Sequence, residues 1–183
     1  MSRSRLLGSA RYRVAQFGQA LWATVAPIDE AYVRQQLSVA AEPAALFRLF
    51  HEMPRVERFH GVRTCRALER QGFTDPELLI AALLHDAGKG LTPPKLWERV
   101  LVVLVERFLP RLAVRWRESG SVHGALRGPR RGFVVRRYHA HWGATLAAEA
   151  GAPIRAVSLI RDHHSAAGED RQLAALQEAD AAA

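Results

Sequence analysis

Apolar residues along the chain recur at intervals of three and four, and period-two alternation of β-branched residues is scarce. That pattern predicts an all-α protein. Residues 10–24 read as a basic amphipathic helix, and the stretch from Ile28 to Phe50 as one or two short helices broken near Glu42 and Pro43. A further helix is expected from Arg55 to Gln71. It is followed by "LLIAALLHDAGKG", Leu78 to Gly90, whose seven consecutive apolar residues, Leu78 to Leu84, leave almost no solvent face. Thr74 and Glu77 offer a capping box at its start and Gly88 a C-terminal cap, so this segment is expected as a core helix.

From Leu96 to Arg117 runs a greasy amphipathic segment, bent or broken at Pro110. It is read either as a helix pair packed on the core, or as an interfacial helix or lid with aliphatic and Trp residues on one side and arginines on the other. The Gly- and Arg-rich "ESGSVHGALRGPRRG" that follows reads as a mobile loop. Phe133 to Ala150 is expected as a helix closed by Gly151, Pro153 to open another running to about His164, and a last helix to run from about Arg171 to near Asp180.

At 183 residues the chain fits one domain with a sizeable core, and its single cysteine, Cys65, allows no internal disulfide and suits a reducing, cytoplasmic setting. The first residues do not read as a signal peptide, and no apolar run approaches the ~20 residues of a membrane span, so a soluble protein is expected. A net charge of +8 and a pI near 10.9 suggest anionic partners. The charge is nearly all arginine, Lys89 and Lys95 being the two lysines, and asparagine is absent. A GC-rich genome would leave the same bias.

An isolated His-Asp pair in a core, such as His85 and Asp86, is more often hydrogen-bonded than functional. The other histidines change the balance, because several of the eight fall inside apolar-periodic helices. Asp180, seven residues after Leu173 and four after Leu176, lies on the apolar side of its helix. Four helices thus offer an imidazole or a carboxylate to the interior. A shared divalent metal accounts for all of them at once, since neutral imidazole nitrogen and carboxylate oxygen are the ligands such an ion takes.

On these residues the chain resembles the HD-domain superfamily of metal-dependent phosphohydrolases, over about residues 55 to 181. His60 in "FHGVRTCRAL" matches the family's first histidine and "LLHDAGKG" its His-Asp doublet, while His139 in "YHAHWGA", His163 in "LIRDHH" and Asp180 in "LQEAD" match the later ligands of its dinuclear members. The resemblance implies an HD-type helical bundle over 55–183, with an N-terminal helical extension (1–54) and a helical insertion at about 91–137. It also implies a metal set of His60, His85, Asp86, His139, His163 and Asp180, with Asp86 bridging two divalent ions. Iron or manganese come first as candidates, and zinc, magnesium, nickel or cobalt are alternatives. Periodicity does not choose between His163 and His164, because Ile160 lies three residues before one and four before the other. His51, His123 and His141 are read as solvated or hydrogen-bonded.

The activity this implies is hydrolysis of a phosphoester or phosphoanhydride in a small anionic, nucleotide-like substrate by a metal-activated water, with Asp86 and Lys89 as the catalytic pair and Lys89 and Arg63 meeting the phosphate. No Gly-Tyr-Pro signature follows Lys89, where "GLTPP" stands, which argues against cyclic dinucleotides. Two other readings use the same residues: a dinuclear iron oxygenase of HD fold, and a non-catalytic regulatory module touching a membrane surface or a partner helix through 96–117. No nucleic-acid recognition motif accompanies the arginines.

Overall fold

A computed structural model describes residues 26–93, 96–118 and 130–183. The helix expected over 10–24, and residues 119–129 of the expected loop with His123, lie outside the described residues. Among the described residues the chain is helical throughout, without strands: α1 (Glu30–Leu37), α2 (Pro43–Glu52), α3 (Arg55–Arg70), α4 (Pro76–Leu84), a 3-10 turn (Ala87–Gly90), α5 (Leu96–Phe108), α6 (Pro110–Glu118), α7 (Arg131–Glu149), α8 (Ile154–Asp162) and α9 (Arg171–Ala182).

Local chemistry sets these boundaries. Asp29 and Asp170 cap α1 and α9 by accepting the backbone N–H groups of Tyr32 and Leu173. Pro43 opens α2, and Pro110, at the first position of α6, separates it from α5. Gly151, at φ +82°, ends α7 in the left-handed region, as the sequence predicts.

Two local expectations are corrected. Asp75, not Thr74, caps α4, its carboxylate accepting the N–H of Leu78 at 3.0 Å, because Pro76 occupies the first helical position and leaves Thr74 outside. Gly88 does not cap the core helix, which stops at Leu84 with His85 as its cap residue; the chain then tightens into the 3-10 turn. Gly88 is required there for a different reason: a Cβ would lie 2.0 Å from the carbonyl oxygen of His139 and 2.7 Å from the N of Gly143. The turn therefore lies backbone to backbone against α7.

All seven apolar residues of α4 are buried, and α1, α2, α3, α8 and α9 surround it. Each fully buried leucine or isoleucine stabilises the fold by about 1.5–3 kcal/mol relative to exposure. Val33, Leu37, Leu46, Leu49 and Phe50 from α1 and α2 belong to this same core. At the α3–α4 crossing a Cβ on Gly61 would sit 2.6 Å from the carbonyl of Leu83, so the two backbones approach as only glycine permits. That contact sets His60 beside the end of α4. A smaller cluster of Val102, Val105, Ala113 and Phe133, with Leu101, Leu112 and Trp116 against it, docks the α5–α6 hairpin on the first turns of α7.

Candidate metal centre

The end of α4 and the turn after it sit among four other helices, and each delivers a polar side chain to one place. His60 comes from α3, His85 from the last residue beyond α4, Asp86 from the turn, His139 from the middle of α7, His163 from the end of α8 and Asp180 from α9. The structure brings all six together. His60 Nε2 lies 2.6 Å from an Asp180 oxygen, and His85 Nε2 lies 3.5 Å from that oxygen and 3.5 Å from Asp86 Oδ2. On the other side, Asp86 Oδ1 is 3.4 Å from His139 Nε2, and the His139 and His163 rings are 5.3 Å apart.

The donors fall into two groups that could hold a metal ion: His60, His85 and Asp180, and His139, His163 and His164. Within each, the ligand atoms lie within 4.8 Å of one another. Asp86 stands between the groups, one carboxylate oxygen toward each.

Three of the imidazoles are aimed by their own helices. Nδ1 of His85 donates to the carbonyl of Ala82 at 2.9 Å, that of His139 to Val135 at 2.9 Å, and that of His163 to Ile160 at 2.7 Å. A neutral imidazole held in this way carries its lone pair on Nε2, the arrangement by which a metal-binding histidine is oriented. Nε2 of His85 and of His163 are buried and accept no hydrogen bond. A buried polar atom left this way costs about 1–3 kcal/mol, so a merely hydrogen-bonded core pair does not account for them. A divalent cation does, and the set of imidazole nitrogens and ionised carboxylates suits one.

Electrostatics bias the charge states of the donors in different directions. Burial pulls all three histidines of the second group down, His139 to about 4 and His163 to about 3, so these two are neutral at pH 7. Burial pulls His85 the same way, but the Asp86 and Asp180 carboxylates outweigh it and push that imidazole up to about 9. Burial opposes ionisation of Asp86, yet Lys89, His85 and His139 hold its carboxyl well below the usual range. Asp180 is likewise held low against burial, by its bond to His60 and by His85.

Lys89 is engaged by two carboxylates, its Nζ 2.6 Å from Asp86 Oδ2 and 3.2 Å from Glu57. Glu57 is buried and was not singled out from the sequence, although its place three residues before His60 puts it on the same face of α3. His163 and His164 both reach the site: His163 is buried, and His164, more exposed, has Nε2 3.1 Å from His139 Nε2. Arg63 is half-buried, and among the described residues no hydrogen bond or ion pair ties it to the ligand set. His141 is exposed, and His51 is exposed beside Glu30 and Arg58.

The model of the HD domain family matches residues 59–182, a span that begins one residue before His60 and closes two after Asp180. A multifunctional CCA protein of Teredinibacter turnerae is 35% identical over 47% of this chain, and one of Methylococcus capsulatus 36% identical over 45%. The alignments cover 26% and 21% of those proteins, so the chain spans about a quarter of the relatives it matches. No solved structure matches at a significant level. The match over residues 59–182, with the histidines and aspartates gathered around α4, places this chain in the HD-domain family of metal-dependent phosphohydrolases.

Proposed function

We propose that the chain hydrolyses a phosphoester or phosphoanhydride in a small nucleotide-like anion. Two divalent ions, iron or manganese first, would be held by His60, His85 and Asp180 on one side, His139 and His163 on the other, and Asp86 between. The observation that carries this reading is the pair of buried Nε2 atoms of His85 and His163, neither with a hydrogen-bond partner among the described residues, on rings 5.1 Å apart. Ions bound there would supply a water able to lose its proton near neutral pH and would polarise a phosphoryl oxygen.

The remaining tasks fall to the chain's own groups. Asp86 offers its two oxygens to opposite sides, so one carboxylate can serve both donor groups. The low values of His139 and His163 keep their lone pairs available at neutral pH. Lys89, steadied by Glu57, keeps Asp86 ionised and places a positive charge where a phosphate's oxygens would arrive. Arg63 lies farther along α3 and is assigned no more than a supporting role toward the substrate. The relatives named multifunctional CCA proteins match only in part, and the hydrolase reading, not the whole of their activity, is what we carry to this chain.

Elemental analysis of the purified protein, followed by phosphate-release assays on phosphomonoesters, phosphodiesters, dinucleoside polyphosphates and cyclic nucleotides, tests the proposal. Two metals per chain and a turnover lowered about a hundredfold or more by Asp86→Ala are expected. Bound iron with oxygen uptake but no phosphate release would replace this reading with the oxygenase, and no metal after reconstitution would remove catalysis altogether.

A further inference from the structure

The α5–α6 hairpin turns the acids of α5 toward α7 beside its buried apolar cluster and exposes a second set of apolar residues. The acidic side chains of α5 face inward: Glu98 is buried and takes an ion pair from Arg131 at 3.2 Å, and Glu106 takes one from Arg136 at 3.0 Å, both arginines lying on α7. Trp97, Val100, Leu104 and Phe108 are spaced to share one stripe of α5 and face outward, from 47% exposed at Leu104 to 69% at Phe108. Leu109, between the two helices, and Val114 of α6 are exposed as well. Arg107 and Arg111 border it, and the Arg107 guanidinium lies 5.7 Å from the Phe108 ring.

We infer that this face lies on an anionic membrane surface, with the apolar stripe of α5 entering the headgroup boundary and the bordering arginines meeting lipid phosphates. Three observations favour that occupant. The two acids of α5 that could repel lipid phosphate are turned away and neutralised by α7, which leaves apolar and basic residues outward. The exposed set combines a tryptophan, a phenylalanine and branched aliphatics with arginine, the composition of helices that lie in the plane of an interface. A net charge of +8 attracts an anionic surface and repels a second copy of the same chain. The 13 residues of α5 make a rod about 20 Å long, and no helix among the described residues is long and apolar enough to cross a bilayer, so the contact is peripheral. A nucleic acid would satisfy the arginines but leave the apolar stripe in water.

The test is co-sedimentation of the full chain with vesicles of phosphatidylglycerol mixed with phosphatidylcholine, beside vesicles of phosphatidylcholine alone. The unaltered protein is expected to pellet with the anionic vesicles and to release as salt is raised. Leu104→Glu with Phe108→Glu, and separately Arg107→Glu with Arg111→Glu, should each weaken binding about tenfold or more. Fluorescence quenching by lipids brominated in the acyl chain, compared between the unaltered chain and Trp97→Phe, reads the same insertion through an exposed position. Failure to pellet, pelleting insensitive to the Leu104 and Phe108 changes, or a vesicle-free dimer or a DNA complex in place of lipid binding would each overturn the inference.

Discussion

The bundle around α4 and the α5–α6 hairpin both bury ionisable side chains, and they do so with opposite results. In the hairpin the buried Glu98 has Arg131 as its partner, and the half-buried Glu106 has Arg136. Around α4 the imidazoles of His85 and His163 are held through Nδ1 and have no hydrogen-bond partner at Nε2 among the described residues. Burial by itself therefore does not mark a functional group. What distinguishes the two regions is the ring nitrogen that the fold orients and then leaves without a hydrogen bond.

The sharpest way to break the bundle is Gly88→Ala. The added methyl would meet the backbone of His139 and Gly143, which cannot rotate away, so a loss of more than about 3 kcal/mol, or failure to fold, is expected in chemical denaturation. Next comes Glu98→Ala, which removes the carboxylate partner of the partly buried Arg131 and leaves it, among the described residues, the Pro93 carbonyl alone. About 3 kcal/mol is expected there, with metal content unchanged, because the hairpin docks on α7 away from the ligands.

A smaller effect separates the two regions by pH in chelator-treated protein. His139 and His163 have folded values of about 4 and about 3, below the ordinary 6.5, so their contribution is present above pH 6.5 and is lost as pH falls toward 4 and then 3. His85, raised to about 9, contributes fully below 6.5 and loses its contribution as pH rises through 9. Thermal melts of metal-free protein should therefore peak near pH 6.5 and fall on both sides, by up to about 1.4 kcal/mol per pH unit for each group. A flat profile between pH 5 and 9 would show that these charge states are misassigned. Smallest of all is Leu104→Ala, on the outward face of the helix that carries Glu98, where a change within about 0.5 kcal/mol is expected.

Much of this was legible in the chain. The all-helical pattern, the break at Pro110 and the left-handed stop at Gly151 follow from local rules, and the structure keeps them. The six residues taken from the family resemblance converge in space, because each lies on the buried side or at the inward end of its helix. Other features depend on tertiary contact and leave no local trace. Gly88 looks like a helix stop, and only the position of α7 reveals it as a point of backbone contact. His163 and His164 looked like alternatives, yet both reach the site, because the turn after α8 lets adjacent residues point the same way. Glu57 stands one turn from His60, and nothing local says that Lys89 will come to lie against it.

The glycine contacts at Gly61 and Gly88 have a bearing on ion choice. Main chain touches main chain at both places, so the distances between α3, α4, the following turn and α7 are set by covalent backbone and not by adjustable rotamers. A ligand cage framed in that way discriminates by rigidity: an ion that requires longer bonds or more ligands must displace helices to be accommodated, whereas one whose radius suits the spacing enters without distortion.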